Sequence, residues 1–350
     1  MDLGLDPTAL QHTDVRTPDP TDGTVPWQDP AWLDEIEAWI AASCAAAGLE
    51  RTGPGELRGR MWSAVIRVPC AGGDVWFKQN APRGGFEPAL LAAFGRWRPG
   101  ERAALIAADT ENFRSLSHDV GERLDGLLKR DPDVRHLHDP LRRYALLQRD
   151  LVAHVDELLA IGVPDGRPDR IESLLDNVLS HAPSGSLDEN VLRQVDARLP
   201  QLRADAEELA ALTDRGAPAT LDHEDLHPGN LLGDETGAHP FDWGDAVVGS
   251  PFGSILVVQR ALPAFAPIDR TAPEVRHLRE VYLEPWRAEA RLTAAELDRA
   301  VTLALRLTMV MRAHTWTRTL PAFRSCPEPW ENVAFWLGAL GCEDPVTYGL

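Results

Sequence analysis

Apolar residues recur at two different spacings along the chain, and the change from one to the other predicts its architecture. Leu33, Ile36, Ile40 and Cys44 are three to four residues apart, with acidic residues between them, and Gly48 follows. This spacing predicts an amphipathic helix that ends near the glycine. Residues 1–30 carry five prolines and no apolar period, so we expect them to form a disordered arm.

Strand-like segments follow this first helix. Residues 62–68 are rich in β-branched and aromatic side chains, residues 70–74 are typical of a turn, and residues 75–78 resume the strand pattern. This order predicts a β-hairpin. The further elements expected before residue 121 are a helix and two apolar segments, at 86–97, 103–108 and 113–118.

Beyond Gly121 the pattern becomes mainly helical. The long predicted helices lie at 140–161, 170–179, 187–215 and from 255 to the C-terminus, and glycines and a proline interrupt the interval 220–245. We therefore predict an α+β fold in which a small antiparallel-sheet lobe precedes a larger helical lobe. The expected division is an arm at 1–30, a first lobe at 31–120 and a second lobe at 121–350.

Composition and charge narrow the functional classes. The 350 residues include 54 acidic and 35 basic ones, a formal charge of −19, which disfavours nucleic acid and anionic lipid as partners. No apolar run approaches the length of a membrane helix, and the N-terminus lacks a secretory signal, so we expect a cytoplasmic protein. The four cysteines are widely spaced, which favours free thiols over disulfides or a zinc site.

One short segment carries most of the candidate chemistry. His223, Asp225 and Asn230 form the pattern H-x-D-x-x-x-x-N, and Asp242 and Gly244 form D-x-G. In phosphoryl transfer, an aspartate orients the acceptor hydroxyl and can take its proton, while an asparagine and a second aspartate hold magnesium against the phosphates. A glycine after the metal-binding aspartate would permit a tight turn.

These motifs resemble the catalytic loop and metal-binding motif of the aminoglycoside phosphotransferase and choline kinase-like family, small-molecule kinases with the protein-kinase fold. The resemblance implies that Asp225 is the catalytic base, that Asn230 and Asp242 bind Mg²⁺, and that His223 is structural. It also implies a bilobal fold and ATP as the phosphate donor, with GTP open. The family commonly has glycine where this chain has Glu224, which suggests a carboxylate beside the acceptor site.

The first lobe offers matching nucleotide-binding residues. Lys78, one of only two lysines in the chain, ends a predicted strand, and Glu87 opens the next helix. Kinases of this fold use such a lysine to hold phosphates and such a glutamate to position it. The alternatives are a solvated strand-end lysine and a first-turn helix acid favoured by the helix dipole. By the same resemblance, backbone groups near Ser117 and Asp119 would face the adenine.

Two further features leave alternatives open. The glycines around residues 53–60 do not form G-x-G-x-x-G, so they are either a phosphate-covering loop or a simple turn. Residues 223–227 also spell H-E-x-x-H, the pattern of zinc hydrolases, although Pro228 would end the helix that this site needs. His239 or Glu235 would be the third ligand. A nucleotide-binding pseudokinase is the remaining alternative.

The sequence thus predicts an ATP- and Mg²⁺-dependent transferase that phosphorylates a hydroxyl of a small molecule. An excess of acidic residues in the second lobe favours a cationic acceptor, such as an aminoglycoside, amino sugar or amino alcohol. The acids in question are Asp222, Glu224, Glu328, Glu331, Glu343 and Asp344. Asp245 is expected to cap a loop, with a third metal contact or a substrate contact as the alternative.

Overall fold

The computed structural model describes residues 26–98, 105–234, 237–289, 291–324, 326–342 and 344–348. The chain divides into two compact units, the first up to Val120 together with Arg318–Pro329, and the second comprising Gly121–Thr317 and the residues from Trp330 onward. The first unit is built on an antiparallel sheet and the second is mainly helical, so the predicted α+β fold is confirmed.

The described residues up to Val120 form two α-helices and a five-stranded antiparallel sheet. In chain order, the elements are α1 Pro30–Ala46, β1 Glu56–Gly59, β2 Ser63–Val68, β3 Val75–Asn80, α2 Glu87–Trp97, β4 Leu105–Asp109 and β5 Arg114–His118. The strand order is β1-β2-β3-β5-β4. In the predicted hairpin Val68 pairs with Val75, and the turn between β2 and β3 includes Gly72 and Gly73 with φ of 88° and 137°. These backbone angles favour glycine, which explains the turn sequence.

The core of the first unit lies between α1 and the sheet. Ile36, Ile40 and Cys44, which follow the predicted helical period, pack in one buried cluster with Ile66 and Phe77 of the strands. This placement gives α1 a buried apolar stripe and leaves its acidic residues outside.

Two segments differ from the sequence-based division. Residues 26–30, assigned to the disordered arm, form a short 3₁₀ helix and the start of α1, because Trp27 is buried against Trp32 at 5.5 Å between ring centroids. The rest of the arm, residues 1–25, lies outside the described residues. Residues 318–329, assigned to the second lobe, belong to the first unit, where the Leu320 amide donates to the Met61 carbonyl at 2.8 Å.

The second unit is mainly helical, with short strands between the helices. Its elements are β6 Glu122–Arg123, α3 Leu124–Arg130, α4 His138–Leu151, α5 Val155–Ala160, β7 Asp165–Gly166, α6 Ile171–His181, α7 Glu189–Gly216, β8 Thr220–Asp222, β9 Leu231–Asp234, β10 Gly237–Pro240, β11 Val247–Gly249, α8 Ser254–Ala261, α9 Pro273–Glu289 and α10 Ala294–Thr315; α11 Pro327–Gly338 begins in the first unit and ends in the second. None of the helices in the described ranges has the length and hydropathy needed to cross a bilayer.

Two small three-stranded sheets hold the interval that the sequence marked as irregular. One has the order β10-β9-β6 and the other β7-β11-β8. Strand β8 leads into the motif residues 223–230, and the hairpin of β9 and β10 leads from them to Asp242. The short strands therefore fix both ends of the segment that carries the candidate chemistry.

Candidate active site

The loop after β8 is irregular and tightly packed. Residues 223–227 adopt no regular structure, and Pro228–Asn230 form one 3₁₀ turn. A Cβ added at Gly229 would lie 2.7 Å from Nη2 of Arg123 and 2.8 Å from Cε1 of His227. Any larger residue at this position would displace these two side chains, so the close packing favours glycine.

His223 connects the two motif segments. Its imidazole is fully buried, its Nε2 lies 2.9 Å from the carbonyl oxygen of Phe241, and its Nδ1 lies 3.3 Å from the amide nitrogen of Asp225. The ring also packs on Trp243 at 4.7 Å between centroids. Since Nδ1 faces a donor and Nε2 an acceptor, the contacts require the neutral tautomer protonated on Nε2. Burial lowers the pKa of His223, which agrees with a neutral ring.

Both oxygens of the Asp225 carboxylate accept hydrogen bonds from side chains. Nδ2 of Asn230 donates to Oδ2 at 3.1 Å and to the Asp225 carbonyl at 3.0 Å, and Nε2 of His227 lies 3.5 Å from Oδ2. Nη2 of Arg312 donates to Oδ1 at 3.0 Å. The carboxylate keeps 28% of its side-chain surface exposed, so it is fixed in orientation yet open on one side.

These contacts decide the charge of Asp225. Enclosure by protein raises the pKa of this carboxyl group, but the Arg312 guanidinium and His227 outweigh that effect and lower the pKa to about 2. Asp225 is therefore ionised at neutral pH. A carboxylate of this kind accepts a hydrogen bond from a hydroxyl group well, and it takes the proton only once that hydroxyl has become strongly acidic.

Asp242 lies just beyond the β9–β10 hairpin. The amide of Phe241 donates to the carbonyl of Asn230 at 3.1 Å, so the hairpin brings Asp242 next to Asn230. Asp242 itself has left-handed backbone angles, φ 63° and ψ 60°, while Gly244 lies inside the following 3₁₀ turn. The expected tight turn is therefore made by the aspartate and not by the glycine, and aspartate is among the non-glycine residues that tolerate this conformation.

Asn230 and Asp242 fit the requirements of a magnesium site. The amide nitrogen of Asn230 is committed to Asp225, which leaves its Oδ1 as the atom able to face a cation. A carboxamide oxygen and a carboxylate are hard oxygen ligands, the type that Mg²⁺ prefers. The two side chains thus have the right chemistry for the metal that the motifs imply.

The zinc-hydrolase alternative does not fit this geometry. H-E-x-x-H chemistry needs both histidines on one face of a helix, whereas residues 223–227 are not helical. Both ring nitrogens of His223 are also engaged by the loop. Across the described ranges, no group of three or more histidine, cysteine, aspartate or glutamate side chains is arranged to hold a metal ion.

The first unit brings Lys78 and Glu87 together. Nζ of Lys78 donates to Oε2 of Glu87, and Nδ2 of Asn80 donates to the same oxygen at 2.7 Å. Glu87 is 3% exposed and lies in the first turn of α2, so it is both a helix-start acid and the partner of the lysine. Lys78 lies inside β3, which continues to Asn80, and not at the end of a strand.

Ser117 and Asp119 lie at the end of β5 and just after it. Ser117 is paired with Trp76 of β3 and with Leu105 of β4, which places it in the sheet. The amide of Asp119 donates to the carbonyl of Asp74 at 3.0 Å. This amide is engaged within the first unit, and the adenine contact of Asp119 stays a prediction.

Arg312 is a site residue that the sequence analysis missed. It lies on α10, is 6% exposed, and reaches Asp225, the Glu224 carbonyl and Asp245. The expected loop-capping role of Asp245 is therefore better described as an ion pair with Arg312, at 3.3 Å. The available sequence signal was weak, since Arg312 is one of two arginines within the otherwise largely apolar residues 303–313.

Two of the acidic residues that were expected to favour a cationic acceptor are buried. Asp222 is 1% exposed and Glu224 is 2% exposed. Oε1 of Glu224 would lie 3.1 Å from a Cβ added at Gly253, and Glu224 lines a pocket with Leu209 and Met311. The Glu224 side chain is therefore buried within the unit and is not an exposed surface charge.

Asp222 is held by a buried hydrogen-bond network. It accepts hydrogen bonds from Tyr144 Oη at 2.8 Å, from the Ser254 amide at 2.9 Å, and from Gln148 Nε2 at 3.2 Å. Burial raises the pKa of Asp222 to about 6, and these donors limit the rise. At neutral pH the network thus stabilises a buried carboxylate directly behind the catalytic loop.

The raised pKa of Asp222 predicts a pH-dependent stability. Between about pH 4 and pH 6 the folded protein binds this proton more tightly than the unfolded chain does, so the contribution of Asp222 to the free energy of unfolding falls as pH rises, by at most about 1.4 kcal/mol per pH unit. We expect Asp222→Asn to lose this contribution. Urea unfolding of both proteins across this range measures it, with the exposed Asp214→Asn as control. Parallel curves for wild type and Asp222→Asn would contradict the assignment.

Comparison with known proteins agrees with this geometry. Residues 185–253, which include every motif residue of the second unit, match the model of the family described as "Phosphotransferase enzyme family". Comparison with curated protein sequences gives no match.

Solved structures show the same fold over most of the chain. Ethanolamine kinase from Plasmodium vivax is 13% identical with a TM-score of 0.59, and the match covers 90% of each chain. The choline kinase LicA from Streptococcus pneumoniae is 11% identical with a TM-score of 0.53, covering 87% of this chain and 99% of that one. APH(2")-IIia, solved with GDP and kanamycin, is 16% identical with a TM-score of 0.51, covering 87% and 97%.

The structural likeness gives the fold, and the sequence match falls on the segment that holds Asp225, Asn230 and Asp242. The chain therefore combines a fold similar to that of these solved structures with a segment, residues 185–253, that is similar to the phosphotransferase enzyme family.

Proposed function

We propose that this chain transfers the γ-phosphoryl group of a nucleoside triphosphate, ATP in the first instance, to a hydroxyl group of a small cationic molecule, with Mg²⁺ required. The observation that carries the proposal is the Asp225 cluster. An ionised carboxylate with both oxygens fixed is open on one side, and the hairpin brings Asp242 beside its partner Asn230.

The reaction that we propose uses Asp225 to orient the acceptor. The hydroxyl group donates a hydrogen bond to the carboxylate, and its oxygen forms a bond to the γ-phosphorus as the bond from that phosphorus to the bridging oxygen breaks. The acceptor proton passes to Asp225 late in this process, since a carboxyl group with a pKa of about 2 is a weak base. The nucleoside diphosphate leaves with the electrons of the broken bond.

Other residues would hold the nucleotide and its metal. When bound, Mg²⁺ neutralises phosphate charge, and Asn230 Oδ1 and the Asp242 carboxylate are the proposed ligands. In the first unit, Lys78 would contact the phosphates, with its ammonium group oriented by Glu87. Ser117 is proposed to lie near the base through its backbone.

The proposed positive charge of the acceptor rests on the carboxylates around Asp225. Asp225 and Asp245, neither of which is a proposed Mg²⁺ ligand, keep 28% and 33% of their side-chain surfaces exposed. Arg312 is nearly buried and offsets only one of these two charges. The remaining negative charge favours an ammonium-bearing alcohol over a neutral or anionic one. Ethanolamine, choline and kanamycin, named with the similar structures, supply three such probes.

Two measurements test the proposal. Thermal unfolding with MgATP, with ATP plus EDTA, and with Mg²⁺ alone reports nucleotide binding, and a ligand at 100 times its Kd should stabilise the fold by about 2.7 kcal/mol. ADP release with ethanolamine, choline or kanamycin, each against a neutral polyol of similar size, then reports transfer, and mass spectrometry identifies the phosphorylated acceptor. Binding without turnover across a wide range of alcohols would favour a pseudokinase, and the absence of any Mg²⁺-dependent nucleotide binding would refute the proposal.

A further inference from the structure

Arg312 makes three contacts with the segment around Asp225. Nη2 donates to Oδ1 of Asp225 at 3.0 Å, while Nη1 donates to the carbonyl oxygen of Glu224 at 2.8 Å and to Oδ2 of Asp245 at 3.3 Å. Arg312 as a whole is 6% exposed. A buried charge is unfavourable unless it is paired and hydrogen-bonded, and these three acceptors stabilise the buried charge of Arg312.

The contact with Asp225 complements those on the other carboxylate oxygen. Asn230 and His227 face Oδ2, and Arg312 alone among these three side chains holds Oδ1. A carboxylate held through one oxygen can rotate about its Cβ–Cγ bond. With donors on both oxygens, its plane is fixed and its remaining lone pairs point in a defined direction.

The contact with Glu224 holds the backbone before Asp225. Glu224 has a φ of 63°. This left-handed backbone conformation is energetically unfavourable for residues other than glycine, asparagine and aspartate. The amide of Glu224 is also held in place, because it donates a hydrogen bond to Oγ of Ser254 at 3.1 Å. Arg312 binds the carbonyl of this same residue, so it stabilises the orientation of the peptide group that leads into Asp225.

From these contacts we propose that Arg312 is the positioning residue of the transfer reaction, fixing both the Asp225 carboxylate and the strained Glu224 peptide in the geometry that the acceptor hydroxyl needs. The inference rests on the proposed function. It assigns Arg312 no contact with substrate. A lysine would keep the positive charge, but its donors are all on one nitrogen atom. The planar guanidinium of arginine carries donors on separate nitrogen atoms, so it can bind the separate acceptors at this site.

The first test compares substitutions at Arg312 with one at Arg306 on the same helix. Arg306 pairs with Asp205 at 3.4 Å, away from the catalytic loop, so Arg306→Met is a matched loss of an ion pair. We expect Arg312→Met to lower kcat about 100-fold, the loss typical of a misplaced reacting group, with nucleotide affinity near that of wild type. Arg312→Lys should recover part of this loss, and Arg306→Met should turn over normally.

A double-variant comparison separates positioning from general support of the fold. If Arg312 acts through Asp225, then Arg312→Met adds little to the loss already caused by Asp225→Asn. An equal further loss of kcat in the Asp225→Asn background would overturn the proposal. So would a loss of turnover in Arg306→Met as large as that in Arg312→Met.

Hydrogen exchange of the free protein gives an answer that needs no turnover. We expect Arg312→Met to speed exchange in residues 223–230 and to leave α6 and α7 unchanged. Unchanged exchange in residues 223–230 would show that Arg312 does not hold the loop. If the wild-type protein transfers no phosphoryl group but the exchange result is as expected, the proposed function fails while the assigned contacts of Arg312 stand.

Discussion

We expect Asp225→Asn to lower turnover about 100- to 10,000-fold, the range typical of a positioned acid or base, while Mg²⁺-nucleotide binding is retained. The substitution removes the negative charge that the acceptor hydroxyl would face. It also turns an amide NH₂ toward the donors of Asn230 or Arg312, which prefer an oxygen. Initial rates with the acceptor found in the ADP-release assay measure the loss, and a fluorescent ADP analogue measures the nucleotide affinity.

The control for this substitution is Asp214→Asn, which neutralises an exposed carboxylate on α7 of the same unit. Because it leaves the catalytic loop untouched, it should change neither turnover nor affinity. Stabilisation of Asp225→Asn by Mg²⁺-nucleotide would show that the fold and the nucleotide site remain intact. Near-normal turnover in Asp225→Asn would exclude Asp225 from the reaction, and the proposed chemistry with it.

The sequence was informative where function depends on residues close together in the chain. The spacing of His223, Asp225 and Asn230 needs only one loop to bring them together, and that loop is fixed by β8 and by Gly229. Likewise, Lys78 and Glu87 lie nine residues apart on consecutive elements, β3 and α2, so their contact follows from local geometry.

Contacts between distant residues were beyond such reasoning. Arg312 follows Asp225 by 87 residues, and the chain has 33 arginines. Nothing in the sequence therefore distinguishes Arg312 from the other arginines. Its role depends on how α10 packs beside the catalytic loop. The same holds for Leu320, which joins the first unit because its amide meets Met61 across a large sequence separation.

Burial also reversed the meaning of two acids. In the sequence, Asp222 and Glu224 look like additional negative charge around an acceptor, but both side chains are enclosed by the second unit. A Cβ at Gly253 would lie 2.4 Å from Oδ2 of Asp222 and 2.5 Å from Oγ1 of Thr308. Such packing can only be seen once α8 and α10 are placed, so an acid's role could not be read from its position in the motif alone.

The second large effect is expected at Asp242. Without this carboxylate, Mg²⁺ would keep only Asn230 among the proposed protein ligands, and we expect nucleotide binding to lose its dependence on the metal. Thermal unfolding with Mg²⁺ and ADP measures this loss. With ADP at 100 times the wild-type Kd, the free energy of unfolding of the wild type should rise by about 2.7 kcal/mol, and that of the variant should not. ADP with EDTA supplies the metal-free baseline for each protein.

The backbone of Asp242 decides which substitution gives a clear answer. At φ 63° an alanine is strained, by about 1 to 2 kcal/mol in the left-handed region, so Asp242→Ala confounds loss of the ligand with loss of stability. Asparagine tolerates this conformation and keeps the shape of the side chain while removing its charge. Asp242→Asn should therefore unfold at nearly the wild-type temperature without ligand and lose most of the Mg²⁺-dependent gain. If it instead gains as much from Mg²⁺ and ADP as the wild type does, the metal is held by other residues.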